Sequence, residues 1–283
     1  GREWYSSTAT VSKNNIQVGT IQLANGTGTI KLYETGTYVF TLEGKSDSLT
    51  ISSLDTTENI TINDLELVSW STGTDEQIAA MVAAYYDGSI SLSEVQSVWS
   101  VGQSRQTTLS AMSATGVGES HRSQTVELVI IDFDHDTLTT PINGKTKALI
   151  TVNQKNCLRD ASVADDGGSN NTENGYMNNS NTNVGGWTNC ARRTWCNNVY
   201  YNAIPSTIKN EIKQVNKLTS AGNQSSTINT DADYVWLLSE IEIFGTTTYS
   251  IAGEGTRYSW FAQADSNRYK LPKWGSSYVS SYW

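Results

Sequence analysis

Residues 176–195, YMNNSNTNVGGWTNCARRTW, limit the fold more than any other stretch of the chain. Asn179, Asn181 and Asn183, followed by the Gly185-Gly186 pair, interrupt any apolar repeat, so neither a helical nor a strand period runs through the segment. The chain must therefore build an ordered irregular loop here. Asn side chains bond their own backbone and tolerate left-handed φ, paired glycines let backbones approach closely, and Trp187 supplies a large apolar anchor. Arg192 and Trp195 follow at the start of a helical pattern. Trp187, Arg192 and Trp195 are expected to be structural: Trp187 buried, and Arg192 donating hydrogen bonds to loop carbonyls that irregular backbone leaves unpaired.

The segments on either side predict an α+β chain of two domains. Over residues 16–68 the sequence gives short β runs, IQVGTIQL, GTIKLY, GTYVFTL, SLTISSL and NITINDLELV, separated by turn formers. Residues 1–68 are expected to be a small all-β, sandwich-like domain with an attachment or spacer role. Near Ser69 the pattern changes to helix. Thr74 with Gln77 and Ser91 with Glu94 have capping-box spacing, Gly88 is placed to end the first helix, and Ser239 with Glu242 repeats the device later. Strands are expected over residues 107–112, 125–133, 148–152 and 234–238. Pro205 suits the first turn of a helix carrying Ile208, Ile212, Val215 and Leu218, with Lys209, Lys213 and Lys217 on its solvated face.

The loop also carries a resemblance. Met177, Asn178, Ser180 to Asn183, Gly185-Gly186-Trp187, Arg192 and Trp195 resemble the signature of a family of uncharacterised domains in phage tail and cell-surface proteins of Gram-positive gut bacteria. Phe133 to Asp136, Val215 to Thr219, Leu237 to Glu240 with Phe244-Gly245, and Tyr282-Trp283 fit the same family in the same order. That resemblance implies a C-type lectin-like domain over residues 69–283, similar in fold to the variable ligand-binding proteins of diversity-generating retroelements. In that family the Tyr-Trp pair is followed by further strands, so the resemblance also implies a domain that is incomplete at Trp283.

Composition narrows the functional classes. A formal charge of -9 and a pI near 4.7 leave no basic surface to follow phosphates, so nucleic acid is not expected as a partner. No run nears the ~20 apolar residues of a membrane helix, so membrane insertion is not expected. There is no P-loop, no G-x-G-x-x-G and no G-x-S-x-G, and the three cysteines and two histidines lack paired zinc spacing. No cofactor, metal or catalytic residue is assigned. Asp132, Asp134 and Asp136 alternate where a strand ends, but lack the Gly and Glu of a calcium loop. Asp134 and Asp136 are expected to cap a turn beside a half-buried His135.

The aromatic, Ser-rich C-terminal region is the expected ligand surface, because Tyr and Trp give rigid amphipathic contact area at small entropic cost. Tyr258, Trp260, Tyr269, Trp274 and Tyr278 are the expected contact residues. The resulting expectation is a non-enzymatic recognition or adhesion module, binding a host or cell-surface glycan or protein, on a virion or at a cell surface. It would act as a homo-oligomer or part of a larger assembly. The alternatives are a structural virion or fibre protein without a ligand, and a glycan-active enzyme.

Overall fold

The computed structural model describes residues 8–23, 28–42, 45–60, 67–118, 120–158, 176–270 and 280–281. The chain divides into two compact units, Gly1–Glu66 and Leu67–Trp283.

In the first unit, β1 (Thr8–Lys13), β2 (Ile16–Gln22), β3 (Gly36–Leu42) and β4 (Lys45–Ile51) form one antiparallel sheet in the order β2-β1-β3-β4. Asn14 and Asn15, both at positive φ, make the two-residue turn between β1 and β2. Tyr38, Phe40 and Leu42 alternate inward along β3 onto Ala9, Val11 and Ile21. The sandwich expectation is corrected here: among the described residues there is a single sheet. Residues 28–33, expected as a strand, make no strand pairing among the described residues and lay Ile30 and Leu32 against the sheet's core. Most of the run over residues 59–68 lies outside the described residues.

The second unit combines helices with antiparallel sheets, an α+β arrangement. It opens with α1 (Asp75–Asp87) and α2 (Leu92–Val98), each started by a complete capping box, from Thr74 with Gln77 and from Ser91 with Glu94. Gly88 ends α1 in the left-handed region, where a side chain would be strained. Next come β5 (Ser104–Leu109), β6 (Gln124–Phe133), β7 (Thr137–Ile142), β8 (Lys145–Lys147) and β9 (Ile150–Gln154). The strand β6 is central in the sheet β5-β6-β9, with Val126 on one core and Val129 and Ile131 on another.

After the irregular loop, α3 (Ala191–Trp195) runs through a π-helical turn, Cys196–Tyr200, into α4 (Tyr201–Ala203), and α5 (Ser206–Lys209) follows. The strands β10 (Val215–Ser220) and β11 (Ile228–Asp233) pair along six residues each and extend the sheet β11-β10-β7-β8. The chain then forms α6 (Glu240–Phe244), α7 (Ser259–Gln263), a 3-10 turn at Asp265–Arg268, and the short pair β12 (Tyr269–Lys270) and β13 (Ser280–Ser281).

Two expected elements are corrected. The helix from Pro205 ends at Lys209, and Val215 to Ser220 is strand, because β11 offers a complete ladder of backbone partners. Val215 and Lys217 alternate inward, so Lys217 is buried rather than part of a solvated basic stripe. The strand expected over residues 234–238 is also absent. Asn197 Oδ1 accepts the backbone N–H groups of Tyr234 and Val235, at 2.8 and 3.3 Å, which removes them from any ladder after β11.

Candidate functional site

The irregular loop is fastened from within. Trp187 is buried and donates its indole N–H to Asp233 at 2.8 Å. Arg192 donates to the carbonyls of Tyr176 at 3.2 Å and Val117 at 2.9 Å. Trp195 is buried beneath Gly118, where a Cβ would lie 1.9 Å from its indole nitrogen. Gly186, at φ +55°, sits so close to the turn after β10 that a Cβ there would fall 1.8 Å from the Ser220 carbonyl oxygen. Arg193 joins the loop to β11 through Asp233 at 2.8 Å, and Thr188 does so through Asp231 at 2.9 Å.

Below β10 lies a closed cluster of ionisable groups. Lys217 pairs with Glu242 and stands 3.7 Å from Asp136. The Tyr258 hydroxyl, fully buried, donates to Asp136 at 3.0 Å, and Thr151 donates to the same carboxylate at 2.5 Å. The His135 ring lies 4.2 Å from the Tyr258 ring, tilted by 35°, and approaches Asp136 to 3.5 Å. Burial pushes the Glu242 carboxyl above the usual range, with Lys217 pulling against it. Burial works the same way on Asp136, yet His135, Lys217 and Thr151 outweigh it and hold that carboxyl below the usual range. Tyr258 is pushed well up by burial and by Glu242 and Asp136. Lys217, Glu242, Asp136 and Tyr258 are all buried and occupied by one another, so this part of the cluster is architecture.

A second carboxylate faces outward in its effect. Ser239 and Glu242 make the capping box of α6, and Gly245 turns the chain back, so residues 246–250 fold over the helix start. There the Glu240 carboxylate accepts the Thr246 hydroxyl and the backbone N–H groups of Thr248 (3.0 Å), Tyr249 (2.5 Å) and Ser250 (2.8 Å). Burial opposes ionisation, but the bonds from Thr246, Tyr249, Ser250 and Thr248 win and bring the group down to about 2. The backbone of Tyr249 is thereby fixed while its side chain is 93% exposed. Glu254 performs similar work next door, accepting from Ser220 N–H at 2.7 Å and Ile251 N–H at 3.0 Å.

The expected contact residues divide. Tyr258 and Trp260 are corrected: both are buried, Tyr258 in the ionic cluster and Trp260 in the core with Val129, Ile131 and Phe261. The aromatic-rich composition there serves packing between α7 and β6. Tyr269 is 44% exposed. Trp274 and Tyr278 lie outside the described residues, as do Tyr282 and Trp283. Asp136 is corrected from a turn cap to a buried partner of Lys217. The three alternating carboxylates diverge: Asp132 accepts from Ser259 N–H and hydroxyl at 2.9 Å each, and Asp134 occupies a positive-φ turn. Among the described residues no group of three or more His, Cys, Asp or Glu is placed to hold a metal ion. Cys157, Cys190 and Cys196 are free thiols. No helix among the described residues is long and apolar enough to cross a membrane.

The Glu240 loop was not foreseen. Its one legible signal is Thr-Thr-Thr-Tyr-Ser directly after a capped, glycine-terminated turn, a run of polar groups with one aromatic.

Residues 147–283 match the family model of a domain of unknown function, DUF6273. The matched segment holds the irregular loop, the Glu240 loop, and Lys217, Glu242 and Tyr258, whereas their partner Asp136 precedes it. No curated protein and no solved structure matches the chain.

Proposed function

We propose that the chain is a non-enzymatic recognition module of a phage particle or bacterial surface, in which a C-type lectin-like domain over residues 69–283 binds a glycan or protein ligand and the β-rich unit before it serves attachment. The observation that carries this reading is the Glu240 loop. Four hydrogen bonds to one carboxylate fix residues 246–250 in place, yet Tyr249 projects almost wholly into solvent. A tyrosine on a pre-ordered loop has already met the backbone part of the entropic cost of contact, which is how rigid paratopes gain affinity. Tyr269 is kept as a contact residue of this reading, and Tyr249 stands in place of Tyr258 and Trp260.

Glycan and protein binding screens, run beside a glycan hydrolase assay, test it. Binding without turnover is the expected result. Tyr249→Ala should then weaken that binding at least tenfold, on the order of 1.4 kcal/mol, at unchanged melting temperature. Turnover makes the chain a glycan-active enzyme, and silence in every assay makes it a structural virion or fibre protein; either result overturns the proposal.

A further inference from the structure

The second unit contains an apolar cavity of about 460 Å³, walled by Ile78 on α1, Leu109 on β5, Leu149 beside β9, Trp195 and Tyr200 along α3 and its π turn, and Trp236. It is open to solvent, with the exposed Val152, Met177 and Leu237 in its lining, so an apolar occupant would take apolar surface out of water. An apolar cavity of ~150 Å³ takes one benzene ring, so this one has room for about three ring-sized groups. It does not suit a partner's helix, a single turn of which already occupies on the order of 500 Å³.

The chemistry of an occupant follows from what the walls offer. Three charged residues reach the lining, Arg192, Glu211 and Lys213, and each is already engaged. Arg192 donates to the Val117 and Tyr176 carbonyls, and Lys213 pairs with Glu211 at 3.2 Å. An ionised ligand would give up its hydration with no counter-charge left to receive it. Thr107 is different. It lies two residues from Leu109 on β5, so both side chains face the same way, and it is buried with its hydroxyl oxygen lacking a hydrogen-bond partner among the described residues. That oxygen is closed to the cavity as well as to solvent, so it offers a ligand no anchor.

We propose that this cavity is a binding site for a neutral, largely apolar small molecule of two to three ring-sized groups. The site is independent of the surface recognition carried by Tyr249, so either assignment stands or falls without the other.

The test is fluorescence titration of the full chain with N-phenyl-1-naphthylamine, a neutral probe of two joined ring systems with a single N–H. A saturable 1:1 rise in emission is expected. The same skeleton with a sulfonate, 1-anilinonaphthalene-8-sulfonate, should bind at least tenfold more weakly. Ala79→Trp, at a partly exposed position of the wall on α1, should fill the space and lower probe affinity at least tenfold. Absence of saturable binding, equal affinity for the sulfonate, or full affinity in a folded Ala79→Trp chain would overturn the proposal.

Discussion

Lys217 is a buried cation held between two buried carboxylates. Its ammonium has Glu242, Asp136 and the Tyr258 hydroxyl around it, and the Trp236 ring 4.7 Å away. Lys217→Met would leave two buried carboxylates facing each other, a loss of ~3–5 kcal/mol in urea denaturation. Adding Glu242→Leu should restore part of it, since an uncompensated charge costs more than a missing pair. Glu240 contributes to acid sensitivity instead. Its carboxyl drops from an ordinary 4.5 to about 2 on folding, so the stability it contributes is present above pH 4.5 and is lost as pH falls toward 2. Melting curves should show Glu240→Gln with a flatter decline across that interval than the parent chain. Neither role was legible in the sequence. Lys217 and Glu242 are 25 positions apart, and at regular four-residue steps from Lys209 and Lys213 a lysine has every local reason to be solvated. Only the pairing of β10 with β11 turns it inward.

Elements whose reasons are local were legible. The three capping boxes and the αL glycines Gly88 and Gly245 form from neighbours within a few residues, and the sequence shows them directly. The inward run along β3 and the long apolar β6 are equally plain, since one period settles each. Elements decided by distant partners were misread. Residues 205–218 fit a helical period and also, from Val215, a strand period; β11 decides between them, and no local signal announces it. The close approach of the irregular loop to the turn after β10 gives a test at this scale. Gly186→Ala adds a Cβ to a left-handed residue 1.8 Å from the Ser220 oxygen, so the two segments must part. A loss of at least ~2 kcal/mol in denaturation is expected, with new protease cuts in residues 183–189 and 220–224. Gly88→Ala, with open space around it, should cost only about 1 kcal/mol by the same measurement.

The whole molecule divides between Glu66 and Leu67, and the change from β runs to capped helices is the part of that organisation the sequence displays. Limited proteolysis with cuts between residues 60 and 75 should release a C-terminal piece that keeps its melting transition; unfolding of both pieces would refute two independent cores. Within the second unit, the buried cluster draws Asp136, Lys217, Glu242 and Tyr258 from four places in the chain, with 122 positions between the first and the last. Any one of them entering the interior before its partners would bring an unmatched charge or hydroxyl out of water, at several kcal/mol each. Half-assembled forms are thus penalised from both directions. The cluster works as a checkpoint on completeness: β7, β10, α6 and the start of α7 either close around it together or open together, which makes unfolding of this unit cooperative.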